Sequence, residues 1–360
     1  MNIAVFGGSG YIMRQVVKHG AEQGHKMVCV DMKAPDYVWS NQMFVKANLS
    51  IEDSTYKAFS DIEDMLESKG FGRDIDAVAN GIAVLDYTKT VEQLYTPNVL
   101  TARHIARSSA CRPTFFVHLS GVAVQGISNS LPLREEYPLA PIEPYGITKA
   151  LSELEVFNEL DGINAIILRA NAVIGPECLN TMILQMFETA KGLVVPRPST
   201  LNSYINTIDI GRAVIFAIEN HTIFGSKKSE LSDIVYNICD KEPITDGQAF
   251  EHLMKRIPPK AYMGLLPVRF KTNAPASKSV LRTVGFLSEA IANLTKTKPA
   301  VPYNLSKLAH VGHAQSREKF ERDFEGNGFK MTFDSTYDSL DYVVKWLYEN
   351  HWKEPMPNTF

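Results

Sequence analysis

Residues 3–13 of the chain read IAVFGGSGYIM, an apolar run followed at once by a glycine-rich turn. The run predicts a buried strand, and the turn predicts entry into a helix. Gly7 and Gly10 have a spacing that lets backbone amides approach a pyrophosphate at a helix N-terminus, because a Cβ at either position would block the approach or forbid the backbone angle. A strand followed by two glycines is also a common structural turn, so a second signal is needed.

The rest of the first half alternates short apolar runs with helical patterns, which predicts strand–helix–strand units and a parallel sheet. Several runs are apolar at both alternating positions, as expected for strands covered by helices on both faces. The predicted strands are Asn2–Phe6, Met27–Asp31, Met43–Ala47, Ala77–Asn80, Thr114–Leu119, Ala165–Arg169 and the later Ile234–Cys239. The predicted helices include Tyr11–Gln23, Leu94–Ser109 and Lys149–Glu159. The expected fold is α/β, a Rossmann-type doubly wound parallel sheet with a smaller C-terminal substrate lobe.

Asp31 is the second signal for a dinucleotide site. It ends the second predicted strand about 20 residues after the turn, where a carboxylate can accept hydrogen bonds from the adenosine ribose hydroxyls. It would also repel a 2′-phosphate, so NAD is favoured over NADP, although Lys33 weakens that preference. The alternative is a solvated aspartate at a strand end.

Bulk composition excludes several other classes of function. The 360 residues carry 37 Lys and Arg against 40 Asp and Glu, without basic runs, so nucleic acid is not an expected partner. No apolar stretch reaches the ~18 residues that span a bilayer. The four cysteines are far apart and suggest neither a metal site nor a disulfide framework. We expect a cytoplasmic protein with a small-molecule substrate, no integral membrane segment and no metal.

Tyr145 and Lys149, in the segment YGITK, are four residues apart and share one face of a helix. A free tyrosine titrates near ~10, but a lysine charge and an oxidised nicotinamide both favour the phenolate. Tyr145 can then take a proton from a substrate hydroxyl as hydride leaves carbon, or return it in the reverse direction. Ser120, at the end of the fifth strand, is the candidate to hydrogen-bond the substrate oxygen. We expect His118, on the same strand, to be a packed core histidine.

These motifs, in this order, resemble the extended short-chain dehydrogenase/reductases of the NAD-dependent epimerase/dehydratase superfamily. The family fingerprint is G-x-x-G-x-x-G, and Met13 stands where the third glycine is expected, so the first helix is expected to lie further from the sheet. The resemblance also leaves two alignments for the catalytic Ser/Thr. Matching residues 124–126 to the family's Val-Tyr-Gly puts it at Gly121, whereas counting back from Tyr145 favours Ser120, which we take.

The resemblance implies a set of site residues. The implied catalytic residues are Tyr145, Lys149 and Ser120, with Asn98 positioning the lysine through water. The implied cofactor contacts are Gly7, Gly10, Tyr11, Ile12, Asp31, Asn48, Leu49, Gly81, Tyr145, Lys149 and Ala172. The implied substrate contacts are Ala83, Gly121, Val122 and Asn171. We predict an NAD-binding domain over 1–175 and a mainly substrate-binding lobe over 176–360, with some segments of that lobe returning to the first domain.

Three functions remain open from the sequence. The stretches 256–308 and 316–346 resemble the 3β-hydroxysteroid dehydrogenase-like branch, which implies an NAD-dependent oxidoreductase acting on a secondary alcohol or ketone of a small, mostly apolar, steroid- or terpenoid-like substrate. A nucleotide-sugar 4-epimerase or dehydratase with tightly bound NAD is the alternative. Such members commonly carry a Gly-Asp-Gly stretch and an arginine before a Val-x-Asp landmark, and in VPRPSTLNSYINTID at 195–209 neither feature is in place. An NAD(H)-sensing binding protein is the non-enzymatic alternative, favoured by Met13 and Gly121.

Two further expectations concern surfaces. The family implies a homodimer through the helices around 94–109 and 149–160. Apolar residues also form one stripe of an amphipathic helix, which predicts a core helix, a lid over an apolar substrate or a membrane-touching surface, the first two being favoured. The stripe consists of Val280, Val284, Leu287, Ile291 and Leu294.

Overall fold

The structure is a computed structural model, and its description covers part of the chain. The described residues are 1–112, 115–128, 130–160, 165–179, 184, 186–187, 190, 194–195, 200–224, 229–258, 270–271, 278–299, 301–308, 311–352 and 356. Thr114, the predicted first residue of the fifth strand, lies outside them.

A seven-stranded sheet forms the centre of the molecule, and every ladder in it is parallel. Its strands are β1 (Asn2–Phe6), β2 (Lys26–Asp31), β3 (Gln42–Lys46), β4 (Ala77–Asn80), β5 (Phe115–Gly121), β6 (Ala165–Ala170) and β11 (Val235–Ile238). Their order across the sheet is β11-β6-β5-β4-β1-β2-β3. The predicted α/β, doubly wound parallel sheet is therefore confirmed.

Three two-stranded ladders and a series of helices complete the described structure. The ladders join β7 (Val173–Ile174) to β10 (Ile205–Asn206), β8 (Val194–Val195) to β13 (Phe270–Lys271) and β9 (Leu201–Asn202) to β12 (Ile244–Thr245). The helices are α1 (Met13–Glu22), α2 (Glu52–Ser68), α3 (Val91–Tyr95), α4 (Thr101–Ala110), α5 (Pro144–Glu159), α6 (Thr207–Glu219), α7 (Leu231–Ile234), α8 (Asp246–Arg256), α9 (Lys278–Thr295), α10 (Tyr303–Leu308), α11 (Glu318–Asp323) and α12 (Thr336–Asn350).

Both faces of the sheet are buried, which explains the continuous apolar runs. Ile3 and Val5 of β1 belong to one apolar cluster with α1 and α6, whereas Ala4 and Phe6 belong to another with α2 and α4. Alternate side chains of a strand point to opposite faces, so one strand serves both clusters. The strand order reverses between β1 and β4, and ligands of such sheets bind at the carboxyl ends of the strands near this reversal.

Helix α5 begins five residues before the predicted helix because two local signals favour an earlier start. Pro144 occupies the first turn, where its missing N–H is not needed. The buried Glu143 carboxylate accepts hydrogen bonds from the backbone nitrogens of Tyr145 and Gly146, at 2.8 and 2.5 Å. A carboxylate is stabilising at a helix N-terminus. This start places Tyr145 in the first turn of α5.

The predicted helix over Leu94–Ser109 is interrupted in the structure. Residues Thr96–Leu100 form a π-helical segment between α3 and α4. Pro97 lies within this segment, and a proline has no N–H for the regular helix ladder. Such bulges often occur at functional sites, and this one holds Asn98.

The amphipathic stripe of α9 lies on the outside of the described structure. Leu287 is 51% exposed, Ile291 59% and Leu294 85%. The packed side of the helix carries Gly285 and Ala292 instead. The core-helix prediction is therefore wrong for the described residues of the stripe, and the side chain of Val280 lies outside them.

Candidate active site

The turn after β1 requires glycine at two positions. Gly7 has φ +80°, and a Cβ there would lie 3.0 Å from Ile82 Cγ1. A Cβ on Gly10 would lie 3.0 Å from the Gly7 carbonyl oxygen, to which Gly10 N donates at 2.8 Å. Tyr11 and Ile12 follow this tight turn and lead into α1. The turn thus has the close backbone approach that a pyrophosphate site needs.

Met13, at the position of the missing third glycine, packs against a different glycine. Its side chain is 2% exposed. A Cβ on Gly81 would lie 2.3 Å from both Cγ and Sδ of Met13. The methionine therefore fits beneath the turn after β4 because Gly81 has no side chain, a compensation from distant sequence that the fingerprint could not reveal.

Asp31 lies at the end of β2, directly beside the glycine turn. Gly7 N donates to the carbonyl oxygen of Val30, the preceding residue, at 2.9 Å. Oδ1 of Asp31 accepts from the backbone nitrogens of Met32 and Lys33, at 2.7 and 3.4 Å. Within the described residues Oδ2 has no hydrogen bond, so it remains available to accept from ribose hydroxyls.

The predicted adenine contacts differ in exposure. Asn48 is exposed, and its Oδ1 accepts from Ser50 N and Oγ at 3.2 and 2.7 Å, which leaves its amide nitrogen to meet a ligand. Leu49 is buried in the apolar cluster with α2. Leu49 can therefore contribute packing beneath a base rather than an exposed contact.

Lys149 is buried with its nitrogen against β5. Its residue exposure is 1%, and Nζ donates to the Leu119 carbonyl oxygen at 2.9 Å. Burial lowers the pKa of Lys149 to about 8, although the Glu153 carboxylate acts in the opposite direction. The lysine is thus held at the carboxyl end of a central strand, close to losing its charge near neutral pH.

Tyr145 behaves differently from the sequence-based expectation. Burial, with the nearby Glu143 carboxylate, raises the pKa of Tyr145. The hydrogen bond of the Lys149 nitrogen goes to the β5 backbone rather than to the Tyr145 hydroxyl. In the protein alone Tyr145 is a phenol, and a cationic nicotinamide is the group that could favour the phenolate.

Ser120 is the hydroxyl that the structure brings to this face. Alternation along β5 places it on the same side as His118, which contacts Lys149. Its Oγ is buried and has no hydrogen-bond partner among the described residues. An unpaired buried hydroxyl points to a missing partner, such as a substrate oxygen. Gly121, by contrast, has no side chain, and a Cβ at that position would lie 3.4 Å from the Ala170 carbonyl oxygen, its nearest neighbour.

Asn98 reaches the neighbourhood of Lys149 without touching it. Its Nδ2 donates to Thr148 Oγ1 at 3.0 Å and to the Val84 carbonyl oxygen at 3.1 Å, and its Oδ1 accepts from Val84 N at 2.7 Å. It therefore ties the loop after β4, which contains the exposed Ala83, to α5. The water-mediated role stays a prediction.

The segment after β6 presents Asn171 and Ala172 at the same edge. Ala172 has φ +33°, an uncommon angle for a residue with a side chain. Asn171 Oδ1 accepts from Ala172 N, and its Nδ2 donates to the His313 carbonyl oxygen, both at 2.8 Å. Val122, directly after β5, is buried. The predicted site residues outside helices thus lie at or after the carboxyl ends of β1 to β6.

Sequence reasoning missed a buried ion pair behind Lys149. Glu153 and Arg169 are 0% and 1% exposed, with 2.7 Å between Glu153 Oε2 and Arg169 Nη2. The signal was available in part, because Glu153 lies four residues after Lys149 and so shares its helix face.

A separate polar cavity of about 590 Å³ lies beside β11. None of the predicted site residues lines this cavity. Some of its charged lining residues already pair with each other, as Arg134 with Glu318 and Arg322 with Asp323.

Among the described residues, no group of three or more His, Cys, Asp or Glu could hold a metal ion. None of the helices within the described ranges is long and apolar enough to cross a membrane.

Comparison with known proteins gives one family match. The model of the "NAD dependent epimerase/dehydratase family" matches residues 3–239. A putative UDP-glucose 4-epimerase of Methanocaldococcus jannaschii is 24% identical over 264 residues, which cover 69% of this chain and 84% of that protein. A UDP-glucose 4-epimerase of Lactobacillus helveticus is 28% identical over 183 residues, which cover 49% of this chain and 52% of that protein.

Solved structures share the fold at low identity. The Thermotoga maritima UDP-glucose 4-epimerase with UDP-glucose is 18% identical with a TM-score of 0.68, covering 97% of this chain and 99% of that one. The Bordetella bronchiseptica enzyme WbmG in complex with NAD is 16% identical with a TM-score of 0.67, covering 97% and 94%. These relatives lend no support to the 3β-hydroxysteroid dehydrogenase-like branch or to a steroid-like substrate.

Proposed function

Because the chain belongs to the NAD dependent epimerase/dehydratase family, we propose that it transfers a hydride between NAD and the carbinol carbon of a secondary alcohol or ketone. The observation that carries the proposal is the spacing of Tyr145 and the buried Lys149, one helical turn apart on α5, with Lys149 Nζ bonded to the Leu119 carbonyl oxygen of β5. The next residue of that strand, Ser120, has a buried hydroxyl with no hydrogen-bond partner among the described residues.

The residues present fit NAD. Gly7 and Gly10 leave no room for a side chain in the turn that would meet the pyrophosphate, and Asp31 Oδ2 would accept from the adenosine ribose. NAD would supply the nicotinamide ring that accepts or returns the hydride.

Tyr145 would move the proton. In reduction, its phenol donates to the oxygen of the ketone as that carbon gains hydride, which leaves a phenolate. In oxidation, the phenolate takes the hydroxyl proton as the carbon loses hydride. Ser120 Oγ would hydrogen-bond the same substrate oxygen, and the Lys149 ammonium would stabilise the phenolate. Because the pKa of Tyr145 is raised in the protein alone, the resting site is ready to donate a proton.

Nucleotide-sugar 4-epimerisation is the second candidate. The relatives whose printed name is UDP-glucose 4-epimerase favour it. The same groups would serve, since an epimerase removes hydride from a sugar hydroxyl carbon and returns it to the opposite face. The low identity speaks against it, as does the segment VPRPSTLNSYINTID, which has no Gly-Asp-Gly stretch and does not have its arginine in the position common in such members.

One assay panel tests both candidates. Purified protein is given NAD or NADH and either apolar secondary alcohols and ketones or UDP-glucose and UDP-galactose. A steady absorbance change at 340 nm with the first group supports a dehydrogenase. Interconversion of the UDP-sugars without net NADH formation supports the epimerase. Cofactor binding with no turnover of either group would contradict both and favour a sensor.

A further inference from the structure

His118 is more than a packed core histidine, because its ring connects Lys149 to the turn after β4. The residue is fully buried. Its Nε2 lies 3.4 Å from Lys149 Nζ and 3.3 Å from Ser152 Oγ, and its Nδ1 lies 3.2 Å from Asn80 Nδ2. Both ring nitrogens therefore have polar neighbours.

The contacts of Asn80 assign the tautomer of this ring. Asn80 Oδ1 accepts from the backbone nitrogen of Ile82 at 3.1 Å, which turns the amide nitrogen toward His118 Nδ1. An amide nitrogen only donates, so Nδ1 must be the acceptor. Burial, together with the Lys149 charge, holds the pKa of His118 well below its ordinary value. The ring is therefore neutral, and its one proton is on Nε2.

The Nε2–H group faces two atoms. Ser152 Oγ donates its own proton to the Lys149 carbonyl oxygen at 2.8 Å, so it can accept from Nε2. The second atom is Lys149 Nζ. An ammonium nitrogen has no lone pair and only donates, whereas a neutral amine can accept a hydrogen bond. Two donors facing each other in a buried site repel, because the low dielectric screens them little.

We propose that His118 is a positioning residue whose Nε2–H disfavours the ammonium form of Lys149 and thereby brings the lysine's titration toward neutral pH. The inference rests on the proposed function and deepens it, since the charge of Lys149 decides how well a phenolate on Tyr145 is stabilised.

The other charged and polar groups around Lys149 also affect the balance between its ammonium and amine forms. Glu153, on the next turn of α5, favours the ammonium, but Arg169 of β6 pairs with that carboxylate. Tyr145, on the preceding turn, is a neutral phenol. Asn98, from the π-helical segment, directs its amide to Thr148 and Val84 rather than to the lysine.

The hydrogen bond between Asn80 and Ile82 links the protonation of Lys149 to the glycine turn after β1. If His118 moved its proton to Nδ1, Nε2 could accept from the ammonium, but Asn80 would have to turn its oxygen toward the ring. The Ile82 nitrogen would then lose its acceptor, and an unpaired amide in a partly buried turn is unfavourable. Ile82 is the residue that touches the Gly7 position.

The test is an NMR titration of the lysine side chains in the 360-residue chain, with Lys149 assigned by its loss in Lys149→Met. His118→Met keeps similar volume but removes the N–H donor, so the Lys149 midpoint should rise by about one pH unit. Ser152→Ala removes the competing acceptor and leaves Nε2–H to the lysine, so the midpoint should fall by about half a unit. Far-UV circular dichroism confirms folding of each variant.

Opposite shifts in the two variants support the role of His118. Equal midpoints in wild type and both variants, or shifts of the same sign, would show that the ring only packs and would overturn it. If His118→Met does not fold, Ser152→Ala decides alone by the direction of its shift. The readout needs no turnover, so it stays informative even if the substrate panel fails.

Discussion

At the scale of single residues, Asp31 is the side chain that we propose to select NAD over NADP. One of its oxygens is held by the backbone of the following turn, and the other has no hydrogen bond among the described residues. We predict that Asp31→Ala weakens NADH binding about tenfold, the loss of one charge-assisted hydrogen bond, and strengthens NADPH binding by removing repulsion of the 2′-phosphate. Nicotinamide fluorescence titrations measure both. Asp61→Ala, on α2 and away from the turn, should change neither, and unaltered NADPH affinity in Asp31→Ala would contradict the assignment.

Met13 and Gly81 form a matched pair whose fit can be measured. A Cβ on Gly81 would meet the Met13 side chain at 2.3 Å, so Gly81→Ala should lower the free energy of unfolding by about 1–3 kcal/mol. In a Met13→Ala background the same change should cost clearly less, giving a coupling of about 1 kcal/mol in a double-mutant cycle from urea denaturation. Additive effects would show that the two residues do not share the space.

Short sequence motifs were enough to propose site residues whose geometry depends on their neighbours in the chain. Gly7, Gly10, Asp31 and the Tyr145–Lys149 pair follow from turn geometry and helical spacing. The polar contacts of His118 could not be predicted, because its partners Asn80 and Lys149 lie 38 and 31 residues away in the chain. Local spacing carries no information about such contacts.

At the scale of elements, α9 shows where periodicity alone is ambiguous. The apolar stripe predicted the helix correctly, but a stripe does not say what covers it. We predict that Leu287→Ser and Ile291→Ser each change the free energy of unfolding by no more than about 0.5 kcal/mol, as exposed positions do. Gly285→Val should cost more, because even its Cβ would lie 2.8 Å from Ser306 Oγ. A loss above about 2 kcal/mol in either serine variant would mean that the stripe is buried.

The ends of buried strands were predicted well, whereas the ends of helices were missed where a capping residue or a proline determines them. β1 was predicted to the residue, since an apolar run bounded by a glycine turn leaves little choice. The start of α5 was missed because it depends on Pro144 and on the Glu143 cap, and the break before α4 because it depends on Pro97.

At the scale of the whole molecule, a buried carboxyl makes stability depend on pH. Asp240, which follows β11, accepts from Thr336 Oγ1 of α12 at 2.8 Å. Burial, with the Asp209 carboxylate adding to it, raises the pKa of Asp240 to about 7. The folded state then binds this proton more tightly than the unfolded state, in which the pKa is ~4. Stability contributed by the neutral carboxyl is therefore lost as pH rises from about 4 to about 7, by up to ~4 kcal/mol.

Asp240→Asn cannot ionise and should flatten this slope. The free energy of unfolding, from urea denaturation between about pH 5 and about pH 8, should fall more steeply in wild type than in the variant. Asp334→Asn, at an exposed position, serves as the control and should keep the wild-type slope. Parallel curves for wild type and Asp240→Asn would contradict the assignment.

The overall architecture was the most predictable level, because a parallel sheet needs repeated apolar runs separated by helices. Strand β11, from the second half of the chain, pairs with β6 and so belongs to the same sheet as β1 to β6. The domain border at 175 and the homodimer stay predictions, since neither follows from the contacts within one chain.

The most direct test of the central claim is a single-turnover measurement of NADH oxidation, at 340 nm, with the best substrate of the panel. Tyr145→Phe keeps the ring and removes the proton donor, so the rate should fall by about 10²–10⁴-fold while NADH affinity changes far less. Tyr236, on the edge strand β11, donates its hydroxyl to Asp323, and Tyr236→Phe should keep the wild-type rate. Equal rates in wild type and Tyr145→Phe would contradict the proposed role of Tyr145 and with it the proposed reaction.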